Sequence, residues 1–258
     1  MVGLAAGLSA VGKKPYVHSF GPFATRRCFD QAFLSVGYAG NAVRIIGSDP
    51  GVTAAYTGGT HMPFDDVAMY RTIPAGMVID IVDGVQRRET LRLTRDRSGV
   101  TYIRAPRSAV TGVYAAGSVF ELGRANVLKD GGDVAILAAG ILVPEALRAA
   151  ALLEREGIYA AVIDMYCIKP LDAETVLRYA KQTGALVTAE NANLHGGLGD
   201  AVCALLAENE PTIVERVGVE DRFGQVGPAA FLKEEYGLTA ENIAAHARAA
   251  LKRKAGRA

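Results

Sequence analysis

The side chains able to do chemistry fall into a few uneven clusters, four histidines and several arginines among them. His61 is the most suggestive. It lies in Tyr56-Thr-Gly-Gly-Thr-His-Met-Pro-Phe-Asp-Asp, a turn-rich loop that leads into an amphipathic stretch from Phe64. A histidine on such a loop exchanges protons near neutral pH. The same residues also read as a plain helix entry capped by Thr60 and Asp65. His18 stands close to Phe20 and Phe23. Two closely spaced aromatics can wall a flat heterocycle, although core packing is the more ordinary outcome. His195 lies in Asn193-Leu-His-Gly-Gly-Leu-Gly-Asp ahead of a helix. Backbone amides there can hold an anion, or the glycines serve close strand–helix packing. His246 falls on a terminal helix and reads as a surface residue. Arg104 ends a strand in Tyr102-Ile-Arg-Ala-Pro-Arg107. Strand C-terminal ends face the binding crevice of an α/β sheet, where an arginine grips phosphate or carboxylate bidentately. Arg26 and Arg27, early in a helix, offer a further basic pair. No CxxC, H-x-E, Walker loop or nucleophile elbow is found in the sequence.

These residues need a scaffold, and the hydrophobic pattern supplies one. The runs 42–46, 77–82, 100–104, 133–138, 160–165, 185–189 and 213–219 are short, apolar and rich in β-branched residues. Such runs suit strands buried on both faces of a parallel sheet. Amphipathic stretches alternate with them. One runs from Pro144 to Glu156 with Gly157 as its C-cap; others cover 171–183 and 198–208; Thr239 caps the last, which reaches Leu251. Strand and helix alternate throughout, the pattern of an α/β fold. The polar, glycine-containing stretch after Arg107 divides the chain. The expected organisation is a first unit at 1–106, a linker at 107–126 and a second unit at 127–258, each an α/β unit with a mainly parallel sheet.

Composition narrows the function classes. The 258 residues carry 28 basic and 27 acidic side chains, a net charge of +1, which disfavours a dedicated nucleic-acid binder. No apolar run approaches the ~20 residues of a membrane span. Three widely spaced cysteines, Cys28, Cys167 and Cys203, form neither a disulfide framework nor a metal cluster. A cytoplasmic protein with no membrane role is the expectation. The basic tail KRKAGRA reads as a frayed, solvated terminus.

Taken in order, these segments resemble the C-terminal half of transketolase. The stretch MVGLAAGLSAVGKKPYVHSFGPFATRRCFDQ is similar to the family's helix and aromatic-bearing strand-loop segment. TGGTHMPFDDVAMYRTIPAGMVIDIVD resembles its DGPTHQP region, and TYIRAPR the strand that ends in a substrate arginine. GGDVAILAAGILVPEALRAAALLEREGI, VIDMYCIKPLDAE, LVTAENANLHGGLGDAV and VGVEDRFGQVG are similar to the C-terminal domain. The resemblance implies a pyrimidine-binding domain at 1–106, short of its first strand and helix, followed by a transketolase C-terminal domain. It implies thiamin diphosphate as cofactor, shared with a partner subunit that holds the diphosphate and Mg²⁺ or Ca²⁺ through a GDG…N motif. A homodimer core within a heterotetramer, phosphorylated sugars as substrates and ketol transfer as the reaction follow from the same likeness.

Residue by residue, the resemblance matches Phe20 and Phe23 to the wall against the aminopyrimidine. It matches His61 to the histidine near the reacting carbons, with a catalytic and substrate-binding role, and Arg104 to the arginine that binds the sugar phosphate. Arg26 or Arg27 corresponds to a further basic position. Asp49 stands where the family commonly has a histidine, and Thr57 where it often has an aspartate; both positions touch the donor's hydroxyls. These departures point away from ordinary xylulose-type donors and toward a modified or branched sugar. The family's catalytic glutamate, in an E-x-N-M pattern, would lie ahead of the methionine matched by Met1. The expectation is therefore a start placed downstream of the true one. Two alternatives remain: the β subunit of a 2-oxoacid dehydrogenase, and a catalytically inactive binding subunit.

Overall fold

A computed structural model describes residues 1–256. The first unit contains α1 (Val2–Ala10), β1 (Tyr16–Phe20), α2 (Gly21–Ala24), β2 (Val43–Ser48), α3 (Asp66–Arg71), β3 (Met77–Asp80), α4 (Gly84–Thr94) and β4 (Val100–Ala105). The second contains β5 (Asn126–Lys129), β6 (Val134–Ala138), α5 (Leu142–Glu154), β7 (Ala160–Asp164), β8 (Cys167–Lys169), α6 (Ala173–Thr183), β9 (Ala185–Asn193), α7 (Leu198–Asn209), β10 (Ile213–Val219), α8 (Ala229–Glu235) and α9 (Ala240–Ala255). The architecture is α/β with two mainly parallel sheets.

The first sheet runs β1-β2-β4-β3-β8 and the second β10-β9-β6-β7-β5. Four strands of each are parallel, and the fifth is an antiparallel edge, β8 on β3 and β5 on β7. The central strands β2, β3, β4, β6 and β7 are buried at every position. Helices cover both faces, so an unbroken apolar run is what each strand requires.

Strand β8 comes from the second half of the sequence yet completes the first sheet, with Val78 opposite Lys169 and Ile79 opposite Cys167. Three residues that stop at Pro170 are too few to carry a periodicity, so the sequence pattern gives no strand there. The two units also share a core: Val52, Met62, Phe64 and Val82 pack in one cluster with Val134, Leu142 and Leu232. The loop that carries Val52, Met62 and Phe64 is therefore packed against the second unit.

Local chemistry sets several boundaries. Asp83 caps α4 by accepting from the amides of Val85 and Gln86. Asp172 caps α6 through the Thr175 amide, and Gly184 ends that helix at φ 62°. Thr239 caps α9 as its sequence suggests. The basic tail is helical through Ala255 rather than frayed, its last turn carrying Lys252, Arg253 and Lys254, which complement the helix dipole. The end of the tail, Arg257 and Ala258, lies outside the described residues.

Candidate functional site

Parallel strands deliver their C-terminal ends to one rim of a sheet. In the first unit that rim carries Phe20 from β1, Asp49 after β2, Arg107 after β4 and Asp83 after β3, in the spatial order of the strands. The loop bearing His61 folds back over the same rim. Gly21 permits this, because a side chain there would collide with the Pro63 ring. The Gly51 amide donates to the Pro63 carbonyl at 3.1 Å.

The loop after β2 is pinned from the other unit. Asn191 on β9 accepts from the Val52 amide at 3.0 Å and donates to the Pro50 carbonyl at 2.8 Å. Gly51 (φ 51°) lies against Asn191 with no room for a Cβ. Within the loop, Ala55 holds φ 47° and ψ −118°, a sparsely populated conformation for a non-glycine residue. Such outliers persist where the surroundings over-determine the backbone.

Phe20, Phe23 and His61 meet on this rim. The Phe20 and Phe23 ring centroids are 6.1 Å apart with planes at 81°. The His61 imidazole packs edge-on to both, at 5.1 Å from Phe20 and 4.9 Å from Phe23. All three are half-buried. The Thr60 hydroxyl engages His61 Nδ1 at 2.9 Å, which leaves Nε2 for a further partner. Thr60 thus orients the histidine. Asp65, read from sequence as a cap, makes no side-chain cap bond and pairs with Arg26 at 3.3 Å.

Two guanidiniums border the aromatic pair. Arg27 lies 3.9 Å from the Phe23 centroid and Arg107 4.5 Å from that of Phe20. Arg107 Nε also donates to Asp49 Oδ2 at 2.5 Å. The Arg107 side chain is about half exposed, whereas the Asp49 side chain is 4% exposed. Asp49 therefore belongs to the rim as the anchor of Arg107.

Arg104 does not. The structure corrects its reading as an anion ligand. Its side chain is 0% exposed, with Nε on Asp66 Oδ2 at 2.8 Å, one terminal nitrogen on Asp80 Oδ2 at 2.5 Å and the other on the Asn191 carbonyl at 2.8 Å. Burial alone would lower its pKa, but the Asp66 and Asp80 carboxylates hold it above the ordinary arginine range. Tyr102 donates to the same Asp66 oxygen at 2.7 Å. Arg104 is a structural tie between β4, β3 and the second unit. The physical reason is position: residue 104 lies inside a six-residue strand buried throughout, while Arg107 lies beyond the strand end and Pro106. Arg107 is the residue the sequence reading missed, and the proline after the strand was the available signal.

The other sequence candidates resolve in turn. His18 and His195 are exposed. His246 is half-buried and its Nδ1 pairs with Glu215 at 3.2 Å. The Gly-Gly-Leu-Gly segment does hold an anion, but the chain's own. Glu190 accepts from the Leu198 and Gly199 amides at 2.7 and 2.8 Å, filling the start of α7. Burial pushes that carboxyl up to about 7 despite these bonds. Thr57 is exposed on the loop.

The aromatic pair suits the flat ring of a thiamin-type cofactor: two half-buried rings meet at nearly a right angle beside an orientable histidine. Among the described residues no cluster of three or more metal-ligating side chains forms.

A mainly parallel sheet with this rim, joined to a second α/β unit, defines a pyrimidine-binding unit followed by a C-terminal unit. The family models agree: "Transketolase, pyrimidine binding domain" matches residues 1–112, and "Transketolase, C-terminal domain" matches residues 123–243. The chain belongs to the transketolase family, which depends on thiamin diphosphate.

Similar proteins include a 6-deoxy-6-sulfo-D-fructose transketolase subunit of Clostridium sp. (strain MSTE9), 49% identical over 98% of this chain and 79% of that one. An apulose-4-phosphate transketolase subunit from Phocaeicola vulgatus is 37% identical, covering 94% and 78%. Among solved structures, one described as a split gene transketolase, inactive β4 tetramer, superposes with TM-score 0.91 at 41% identity, covering 97% and 80%. The transketolase of Campylobacter jejuni superposes with TM-score 0.79 at 18% identity, covering 95% and 37%, a likeness of fold.

Proposed function

We propose that this chain is the C-terminal subunit of a split, thiamin-diphosphate-dependent transketolase. It acts with a partner subunit that carries the diphosphate site and Mg²⁺ or Ca²⁺, in a cytoplasmic heterotetramer built on a homodimer of this chain. The reaction is transfer of a two-carbon ketol unit from a ketose with a terminal anion, a phosphate or a sulfonate, to an aldose acceptor.

The observation that carries this reading is the convergence of Phe20 and Phe23, from the β1–α2 segment, with His61, from the loop after β2, beside the half-exposed Arg107. The names of two similar proteins, one acting on a sulfonated and one on a phosphorylated sugar, support the substrate class. When bound, thiamin diphosphate supplies the electron sink for carbon–carbon bond cleavage and formation. Phe20 and Phe23 would hold its pyrimidine ring. His61, steadied by Thr60, offers Nε2 to a substrate oxygen and moves a proton there. Arg107 binds the terminal anion through the terminal nitrogens not committed to Asp49. The reading also requires a ring-activating carboxylate, and the 258 residues contain no E-x-N-M motif to supply it.

Co-expression with a partner carrying GDG…N, with and without the in-frame codons upstream of Met1, tests this reading. Ketol transfer from a phosphorylated or sulfonated ketose is expected. Decarboxylation of a 2-oxoacid instead would assign the chain to a dehydrogenase β subunit. Tight Mg²⁺-dependent cofactor binding without turnover in any combination would make its role one of binding alone.

A further inference from the structure

Next to Arg107 on the sheet rim, outside the aromatic cluster, lies a cavity of about 270 Å³. It is framed by Val82, Gly84, Arg87, Pro106, Arg107 and Ser108, the first turn of α4 facing the chain that leaves β4. The space above Gly84 is open: a Cβ built there meets nothing within 4 Å. We propose that this cavity receives the terminal phosphate or sulfonate of the sugar substrate, with Arg87 as a second, specificity-determining cation beyond Arg107. The proposal rests on the transketolase reading and extends it to a residue of α4.

The charges in the lining favour an anion. Arg87 and Arg107 are the cationic lining residues. Among the described residues the Arg87 side chain makes no ion pair or hydrogen bond, and it is exposed. The one carboxylate in the lining, Asp83, is already saturated. Its Oδ1 accepts from Val85 and Gln86 at 3.0 and 2.9 Å, and its Oδ2 from Val113 and Tyr114 at 2.9 and 2.8 Å. Two of those bonds occupy the Val85 and Gln86 amides, so Asp83 already caps the start of α4 and the helix end is not the binding element. The guanidinium of Arg87 is, and Ser108 lines the same cavity.

Position supports the same assignment. Along the rim the order is Phe20, Asp49, Arg107 and then the α4 edge, following β1-β2-β4-β3. Neighbouring strands lie about 4.8 Å apart, so the α4 edge stands about 14 Å from the aromatic wall. A sugar chain with its carbonyl end near His61 and its far end past Arg107 points its terminal group toward this cavity. A five-carbon and a six-carbon donor would differ in how fully they reach Arg87.

The test uses inorganic phosphate and methanesulfonate titrated into the full chain, followed by NMR of the arginine Nε–H groups. Binding of either anion with a shift at Arg87, weakened tenfold or more by Arg87→Gln and less than twofold by the neighbouring Arg88→Gln, supports the proposal. No binding in the millimolar range, or equal loss in both variants, overturns it. In the assembled enzyme, Arg87→Gln should raise KM tenfold for an anionic ketose and leave kcat, and the turnover of a neutral ketose, unchanged; a fall in kcat alone would count against it. Anion binding by the chain does not depend on ketol transfer, so success in the first arm with no transfer in the second would refute the transketolase reading alone.

Discussion

Asp49 and Arg107 are joined across the rim of the first sheet, Arg107 Nε donating to Asp49 Oδ2 at 2.5 Å, while the Asp49 backbone is held at φ 54°. A buried acid in the left-handed region thus aims an arginine at the aromatic pair. Asn and Gly tolerate that region, whereas a β-branched side chain does not. Urea unfolding should place Asp49→Asn and Asp49→Gly close to one another. Asp49→Val should fall below them by about 1–3 kcal/mol. Equal stability of all three would show that the backbone there is not constrained.

Arg104 ties together two acids and a carbonyl from the second unit. Removing one partner from a buried ion network leaves uncompensated charge, at a cost of about 3–5 kcal/mol. Arg104→Met should lose that much in chemical denaturation. A variant with wild-type stability and a raised substrate KM would restore Arg104 as a ligand.

The difference between Arg104 and Arg107 shows how far the sequence could be read. The apolar runs of β2, β3, β4, β6, β7 and β9 announce themselves because both faces are buried, whereas the edge strand β10 is recognised by its apolar ends, Ile213 and Val217–Val219. Strand β1 does not, since only Val17 of Tyr16–Phe20 is buried. Strand β8 does not, since its partner is distant in sequence. Phe20, Phe23 and His61 are legible as a motif in order, and the fold brings them together. Which arginine faces solvent depends on a strand end within two residues, below what a periodicity can resolve. The Glu190 carboxylate that fills the Gly-Gly-Leu-Gly turn was invisible for the same reason: proximity in space, at eight or nine residues' separation, leaves no pattern.

Asp164 is buried, accepts from Gln86 at 2.7 Å and Tyr114 at 2.6 Å, and burial raises its carboxyl to about 7. An unfolded aspartate ionises near ~3.9. Between about pH 4 and 7 the folded chain therefore holds a proton that the unfolded chain has released. The stability contributed by Asp164 is complete below that window and is lost as pH rises through it. Asp164→Asn should remove about one proton from the pH dependence of unfolding across this range. Parallel curves for variant and wild type would contradict the assignment.

Asn191 reaches from the second unit to hold the loop that positions Asp49 and His61. Asn191→Ala strips two buried backbone groups of their partners, at about 1–3 kcal/mol each. Hydrogen exchange at the Val52 amide should accelerate by at least tenfold more than at amides of β6. Uniform acceleration would mean a global loss of stability instead of release of this loop.

The proposed function puts Phe20 and Phe23 on the cofactor face, and His61 on the substrate face, of one site. The decisive measurement is titration of thiamin diphosphate with Mg²⁺ into the complex of this chain and its GDG…N partner, alongside a ketol-transfer assay. Phe20→Ala and Phe23→Ala should weaken cofactor binding tenfold or more. His61→Ala should bind the cofactor within threefold of wild type yet lose most of its transfer activity. Cofactor binding unchanged in both phenylalanine variants, with His61→Ala fully active, would contradict the assignment.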